Sequence, residues 1–269
     1  MADGESERAM PATPAAPLTL AEGLPRRLLD LLFPPRCVHC QTTGAPLCGA
    51  CAALIHAPPA PRCSRCDCPL LGASGPRCRA CVALERAPTP PALARIIVAA
   101  EYDGPVASAI RALKFRGQRR LAGPLAALLD GAMRRAEPRA DLIIPMPLHA
   151  ERLRRRGYNQ AALLARPLAR ALGVPLRDDA LLRTRASRPQ TRLHASERRA
   201  NVAGAFALAP GVGATLAGKR IVLLDDVTTT GATLESAAEA LLAAHPAAII
   251  GLAVARPDHG TDGDTGGRA

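Results

Sequence analysis

From Arg95 onward the chain alternates between two hydrophobic periods. Short runs with an uninterrupted apolar centre are "ARIIVAAEY" (94–102), "DLIIPMPL" (141–148), "KRIVLLDDV" (219–227) and "AAIIGLAVARP" (247–257). Between them lie segments whose apolar residues recur every three or four positions: "PVASAIRALKF", "GPLAALLDGAMRRA", "NQAALLARPLARALG" and "TLESAAEALLAAH". The first pattern predicts strands buried on both faces, the second amphipathic helices. Pro105 suits a first helical turn and Gly173 a C-cap. The alternation predicts an α/β fold with a mostly parallel sheet and helices on both faces. In such sheets ligands sit beyond the carboxyl ends of the strands. Upstream, Leu20, Leu24, Leu28, Leu31 and Leu32 in "LAEGLPRRLLDLLF" have helical spacing, and "PPR" stops that short helix before Cys37.

All nine cysteines fall between Cys37 and Cys81. Eight form four CxxC pairs, and the spacing lets both thiolates of a knuckle reach one ion. Sequential pairing gives two structural zinc sites, one from Cys37, Cys40, Cys48 and Cys51, the other from Cys63, Cys66, Cys78 and Cys81. Interleaved pairing and loss of one ion stay open. Cys68 is read as a bystander. Four sulfurs leave no open position, so the metal is expected to fold a segment with little core of its own.

The domain boundaries follow. Residues 1–17 are read as disordered, 18–35 as the short helix, 36–87 as the zinc-ribbon domain and 88–94 as a Pro-rich linker. Residues 95–257 form the α/β domain, and 258–269 a disordered tail. The formal charge of +12 suggests acidic partners, although two four-thiolate zinc sites would lower it to about +8. Two Tyr, three Phe and no Trp argue against an aromatic base-stacking platform. Only Lys114 and Lys219 are lysines; this arginine bias also fits a GC-rich genome. No secretory signal or membrane span is read, so the expected compartment is the cytoplasm.

The stretch "IVLLDDVTTTGATL" carries the candidate chemistry. Its strand delivers Asp225 and Asp226 to the carboxyl edge, and Thr228, Thr229, Thr230 and Gly231 turn the chain into a helix with unpaired N–H groups. A hydroxyl loop at a helix N-terminus cradles phosphate. Adjacent carboxylates would repel phosphate unless they face sugar hydroxyls or hold Mg2+. A phosphorylated ribose meets both demands: the acids take the 2′ and 3′ hydroxyls, and the loop, with Ala232 and Thr233, takes the 5′-phosphate. The loop has no G-K-[ST], which disfavours an ATPase.

This stretch closely resembles the phosphoribosyl pyrophosphate (PRPP) motif of type I phosphoribosyltransferases. With "PMPLHAERLRRRGYNQAALLA", "RASRPQTRLHASERRANVAGAF" and the four CxxC pairs, the chain is similar to the ComF family over roughly 28–257. That family joins zinc ribbons to a phosphoribosyltransferase-like domain and is associated with competence. The resemblance implies PRPP binding with Mg2+, with Asp225 and Asp226 the catalytic acids if transfer occurs. Pro145, Met146 and Pro147, within the 145–149 segment, correspond to the pyrophosphate loop. Arg156, Asn159 and Gln160 match an R-G-[FY]-N-Q motif, although Asn159 and Gln160 also suit helix capping. Gln190, Arg198 and Asn201 match the flexible loop, with Phe206 after it. Partners implied are PRPP, single-stranded DNA and competence DNA-uptake proteins. Candidate DNA contacts are Arg111, Lys114, Arg116, Arg119 and Arg120, then Arg152, Arg154 and Arg155. Two readings compete: an active phosphoribosyltransferase with an unidentified acceptor, and a zinc-ribbon nucleic-acid-binding protein with a non-functional pocket.

Overall fold

The structure, a computed structural model, describes residues 33–70, 75–185, 202 and 204–257. Among the described residues the strands are β1 (Arg95–Glu101), β2 (Leu142–Pro145), β3 (Leu181–Arg183), β4 (Phe206–Leu208), β5 (Arg220–Val227) and β6 (Ala248–Arg256). Four of them pair in parallel in the order β1-β6-β5-β2, as the apolar runs predict. Ile143, Ile144, Val222, Leu223, Leu224, Leu252 and Val254 are fully buried, so the sheet centre is the core. Helices Gly104–Phe115, Ala122–Ala136, Gln160–Leu172 and Ala232–Leu241 follow the predicted segments closely. Gly173 caps the third with φ +67°, a conformation that costs other residues more than glycine.

Four elements differ from expectation. The "DLIIPMPL" strand ends at Pro145 rather than Leu148. Helix Ala150–Arg156 and the antiparallel β3–β4 pair escape the periodicity, being too short and too polar to show one. The Pro-rich 88–94 segment is docked: Leu93 is buried, and Glu235 Oε1 accepts hydrogen bonds from the Ala92 and Leu93 N–H groups. The helix expected around Leu20–Leu32 lies outside the described residues.

Both edges of the parallel sheet are covered. On β1, Ile96 N–H donates to Arg65 O at 2.7 Å and Val98 N–H to Asp67 Oδ2 at 2.8 Å. On β2, Ile143 N–H donates to Pro175 O and Ile143 O accepts from Arg177 N–H, each at 2.9 Å. A bare edge would offer a row of unpaired backbone groups to another chain. The β1 cap comes from the second cysteine segment, which Arg256 also ties down through the Cys66 carbonyl at 2.6 Å. The first cysteine segment joins the main core through Cys37, Leu47 and Cys51, whereas Cys63, Leu70 and Cys81 form a small cluster of their own.

Candidate functional site: an acid pair, a hydroxyl loop and two cysteine groups

Asp225 and Asp226 stand at the carboxyl end of β5, as the sequence predicts. Asp225 Oδ1 accepts from the Asp226 N–H at 2.8 Å, and Asp226 Oδ1 from the Val227 N–H at 3.0 Å. The other Asp226 oxygen lies 2.6 Å from Lys114 Nζ, with the side chains 4% and 21% exposed. Burial pushes the Asp225 carboxyl up to about 6, against the pull of Lys114 and Arg183. Burial also lowers the Lys114 ammonium to about 8; Asp225 opposes that shift, while Arg156 and Arg152 add to it. The pair is therefore partly neutralised from within the protein.

Thr228 to Gly231 lead from β5 into helix Ala232–Leu241. Thr228 N–H is held by Ala255 O at 3.0 Å, and Thr230 Oγ1 accepts from the Ala232 N–H at 3.4 Å. Gly231 caps the helix with φ +81°, and a Cβ there would meet Ile96 Cδ1 at 2.4 Å. A side chain would strain the backbone and displace Ile96. Gly231→Ala is expected to cost about 1–3 kcal/mol, from left-handed strain plus overpacking, as measured by chemical denaturation.

Eight of the nine cysteines sort into two groups. The sulfurs of Cys37, Cys40, Cys48 and Cys51 lie within 4.8 Å of one another. A tetrahedral four-thiolate zinc needs sulfurs about 3.8 Å apart, so this set, the four that sequential pairing groups together, fits the ion. In the second group the four mutually close sulfurs are Cys63, Cys66, Cys68 and Cys78. In this group Cys68 stands where the sequence reading put Cys81. Spacing alone misses Cys68 because the knuckle turn, with Asp67 at φ +63°, folds it back toward Cys66. This group too has the donor chemistry and spacing of a structural zinc site.

Comparison with known proteins agrees with these two parts. The double zinc ribbon domain matches residues 28–82, and the phosphoribosyl transferase domain matches residues 159–263. The DNA utilization protein YhgH of Escherichia coli K12 is 36% identical over 165 residues, 60% of this chain and 71% of that protein. Competence protein F of Haemophilus influenzae is 36% identical over 156 residues, 56% of this chain and 68% of that one. The chain belongs to the ComF family. Its fold is a type I phosphoribosyltransferase-like parallel sheet preceded by a double zinc ribbon. A glutamine PRPP amidotransferase from Bacillus subtilis overlays on 49% of this ComF chain and 26% of its own, with 18% identity and a TM-score of 0.34.

The remaining motif residues take distinct places in this ComF protein. Met146 is buried, and its N–H bonds Leu224 O at 2.8 Å, which fixes the Pro145–Pro147 turn against β5. Asn159 is the N-cap of helix Gln160–Leu172: its Oδ1 accepts from Ala161 N–H, and its Nδ2 donates to Met146 O, both at 3.0 Å. It therefore braces the turn. Gln160 is buried and accepts from the Arg156 guanidinium. Gln190, Arg198 and Asn201 lie outside the described residues. Phe206 is buried, with the Arg183 guanidinium 5.3 Å from its ring centre.

Arg119, of the first predicted arginine cluster, meets Gly157 and Tyr158, which follow the second cluster in sequence. Arg119 lies 4.5 Å from the Tyr158 ring centre and donates to Gly157 O at 3.5 Å, while Tyr158 Oη donates to Leu113 O. Arg156 lies 5.5 Å from the ring centre of Phe115, which is 72% exposed. Two of the few aromatic residues thus stand on a basic face, a juxtaposition hidden by their separation in sequence. Lys114, a candidate DNA contact by sequence, turns to Asp226 instead. Among the described residues, no helix is long and apolar enough to cross a membrane.

Proposed function

We propose that this ComF-family protein binds PRPP together with Mg2+ at the end of β5 and works with single-stranded DNA. The observation that carries the reading is the acid pair beside the N-terminus of helix Ala232–Leu241, whose loop is pinned by Gly231. Asp225 and Asp226 take the ribose hydroxyls, and Thr228–Thr233 take the 5′-phosphate. The pyrophosphate faces the Pro145–Pro147 turn, with Arg156 and the flexible-loop residues Gln190, Arg198 and Asn201 closing over it. Carboxylate oxygens suit Mg2+, which when bound neutralises diphosphate charge. We further propose a ribbon domain at 36–87, a phosphoribosyltransferase-like domain at 95–257, and a cytoplasmic location, in keeping with the thiol-rich ribbons. The relatives' names point to DNA utilization and competence, with DNA-uptake proteins as partners.

Calorimetric titration of Mg2+-PRPP into the zinc-loaded protein tests the site. Binding is expected in the wild type and absent from Asp225→Asn/Asp226→Asn. Affinity is expected to rise as pH increases through about 6, where Asp225 ionises. A folded wild type that takes up no PRPP sinks the reading.

The joined Arg–aromatic face favours the DNA part. Stacking on an exposed aromatic contributes about 1–3 kcal/mol per base. Phe115→Ala is expected to weaken oligonucleotide binding by that amount, read by fluorescence anisotropy, with a salt slope near that of the wild type. Unchanged affinity would remove Phe115 from the interface. Release of pyrophosphate with a particular acceptor would favour the enzyme reading.

A further inference from the structure

The two ribbons repeat one another atom for atom through their first knuckles. Cys37 N–H donates to Thr42 O, and Cys63 N–H to Cys68 O, both at 2.8 Å. Gln41 N–H reaches Cys37 O, and Asp67 N–H reaches Cys63 O, both at 2.9 Å. Gln41 and Asp67 share the left-handed conformation, with φ +65° and +63°. Single bridges then follow in each, Arg36 with Thr43 and Arg62 with Pro69. The repeat aligns Cys68 with Thr42.

That alignment matters because Thr42 Oγ1 lies 3.3 Å from the Cys40 sulfur. In the first ribbon a hydroxyl stands beside a metal-binding sulfur; in the second, a thiol occupies the same place. The sulfur groups reflect the exchange. Cys51 completes the first set of four, but its counterpart Cys81 does not complete the second; Cys68 does. Cys81 stays close all the same, buried beside Cys63 and Leu70 with Cys66, Cys68 and Cys78 packed against the same small cluster.

We propose that the second ribbon offers five thiols for four positions: Cys63, Cys66 and Cys78 hold the zinc, and Cys68 and Cys81 are interchangeable as the fourth ligand. A tetrahedral four-thiolate site has no vacant position, so exchange needs an incoming sulfur already at hand, and the repeat supplies one. The step balances. As the Cys68 sulfur joins the ion its thiol proton is released, and the departing Cys81 sulfur takes up a proton. The four-thiolate site keeps its charge throughout. The consequence is a ribbon whose helix Arg79–Glu85, which carries Cys81, can leave the metal without releasing it. The Cys66–Asp67 turn that caps β1 meanwhile stays fixed.

Zinc content of the purified full chain, by elemental analysis, tests the exchange on Cys68→Ser, Cys81→Ser, the double variant, and Cys51→Ser in the first ribbon. Two ions per chain are expected in the wild type and in both second-ribbon single variants. One ion is expected in the double variant and in Cys51→Ser, since the first ribbon has Thr42 where a spare thiol would be. Loss of an ion from Cys81→Ser alone, with Cys68→Ser intact, overturns the proposal and leaves Cys68 beside the site. Loss from Cys68→Ser alone overturns it too, by making Cys68 a fixed ligand. A second readout is independent of how the Cys81 variant folds. Zinc transfer to a chromogenic chelator is expected to slow several-fold at one site in Cys68→Ser, and an unchanged rate overturns the proposal.

Discussion

Replacing Lys114 with methionine is expected to destabilise the protein by about 3–5 kcal/mol, the usual loss when one partner of a buried ion pair is removed. Lys114 Nζ lies 2.6 Å from Asp226 Oδ2, and the aspartate side chain is almost wholly buried. Methionine fills similar space but leaves that carboxylate uncompensated. Asp225, already pushed up to about 6 by burial, loses a cation that was pulling it down, so its carboxyl rises further. An acid with a raised folded-state pKa binds its proton more tightly in the fold. Its ionisation therefore removes stability as pH climbs from the unfolded value near 3.8 through about 6. The variant should lose more across that window, and over a wider span. Urea unfolding followed by far-UV circular dichroism reads this directly, the chain having no Trp. Lys114→Met/Asp226→Asn should recover much of the loss, because it removes the orphaned charge. No recovery would mean that the loss does not come from the uncompensated Asp226 charge.

Stripping both zincs carries the largest expected effect. Structural zinc in small ribbons contributes about 10–16 kcal/mol per site at neutral pH, and that binding energy is folding energy. The second ribbon depends on it more, since Cys63, Leu70 and Cys81 are nearly all the core it has. Its unfolding also takes away two hydrogen bonds to β1, the Arg256–Cys66 bond and the Arg65–Glu235 ion pair. At about 1 kcal/mol each, these come to about 4 kcal/mol. For a chain of this size that lowers Tm by about 10 °C. A bare β1 edge should also raise light scattering on warming. A zinc-free protein that melts with the native one and stays clear would show that the ribbon contributes nothing to the sheet.

Local pattern made much of this protein legible, and long-range contact hid the rest. Uninterrupted apolar runs marked the parallel strands because both faces of each are buried. The acid pair and its loop stood out because a strand, two carboxylates and a Gly-containing turn are contiguous. Lys114 was misread as a surface cation, since no spacing rule links it to Asp226 across the intervening strands and helices. Asn159 was legible as a cap, yet its second bond, to Met146 O, needed the fold. Cys68 escaped because CxxC arithmetic counts pairs, while a left-handed turn at Asp67 decides which sulfurs meet. The linker at 88–94 looked like a spacer by its prolines but holds Leu93 in the core through Glu235.

The strand order also sets a timetable. β1 is the first strand of the sheet to leave the ribosome, and β6, its strand partner among the described residues, is the last. Roughly 150 residues separate them, a wait of roughly 7–30 s at ordinary rates of synthesis. Throughout that interval β1 has nothing to pair with on the β6 side. Its other side is different, because the ribbon that caps it has already been made. A newborn chain that captures zinc early thus has one edge of its first strand closed before the sheet exists. Supply of the metal during translation, rather than afterwards, would then govern how many chains escape aggregation.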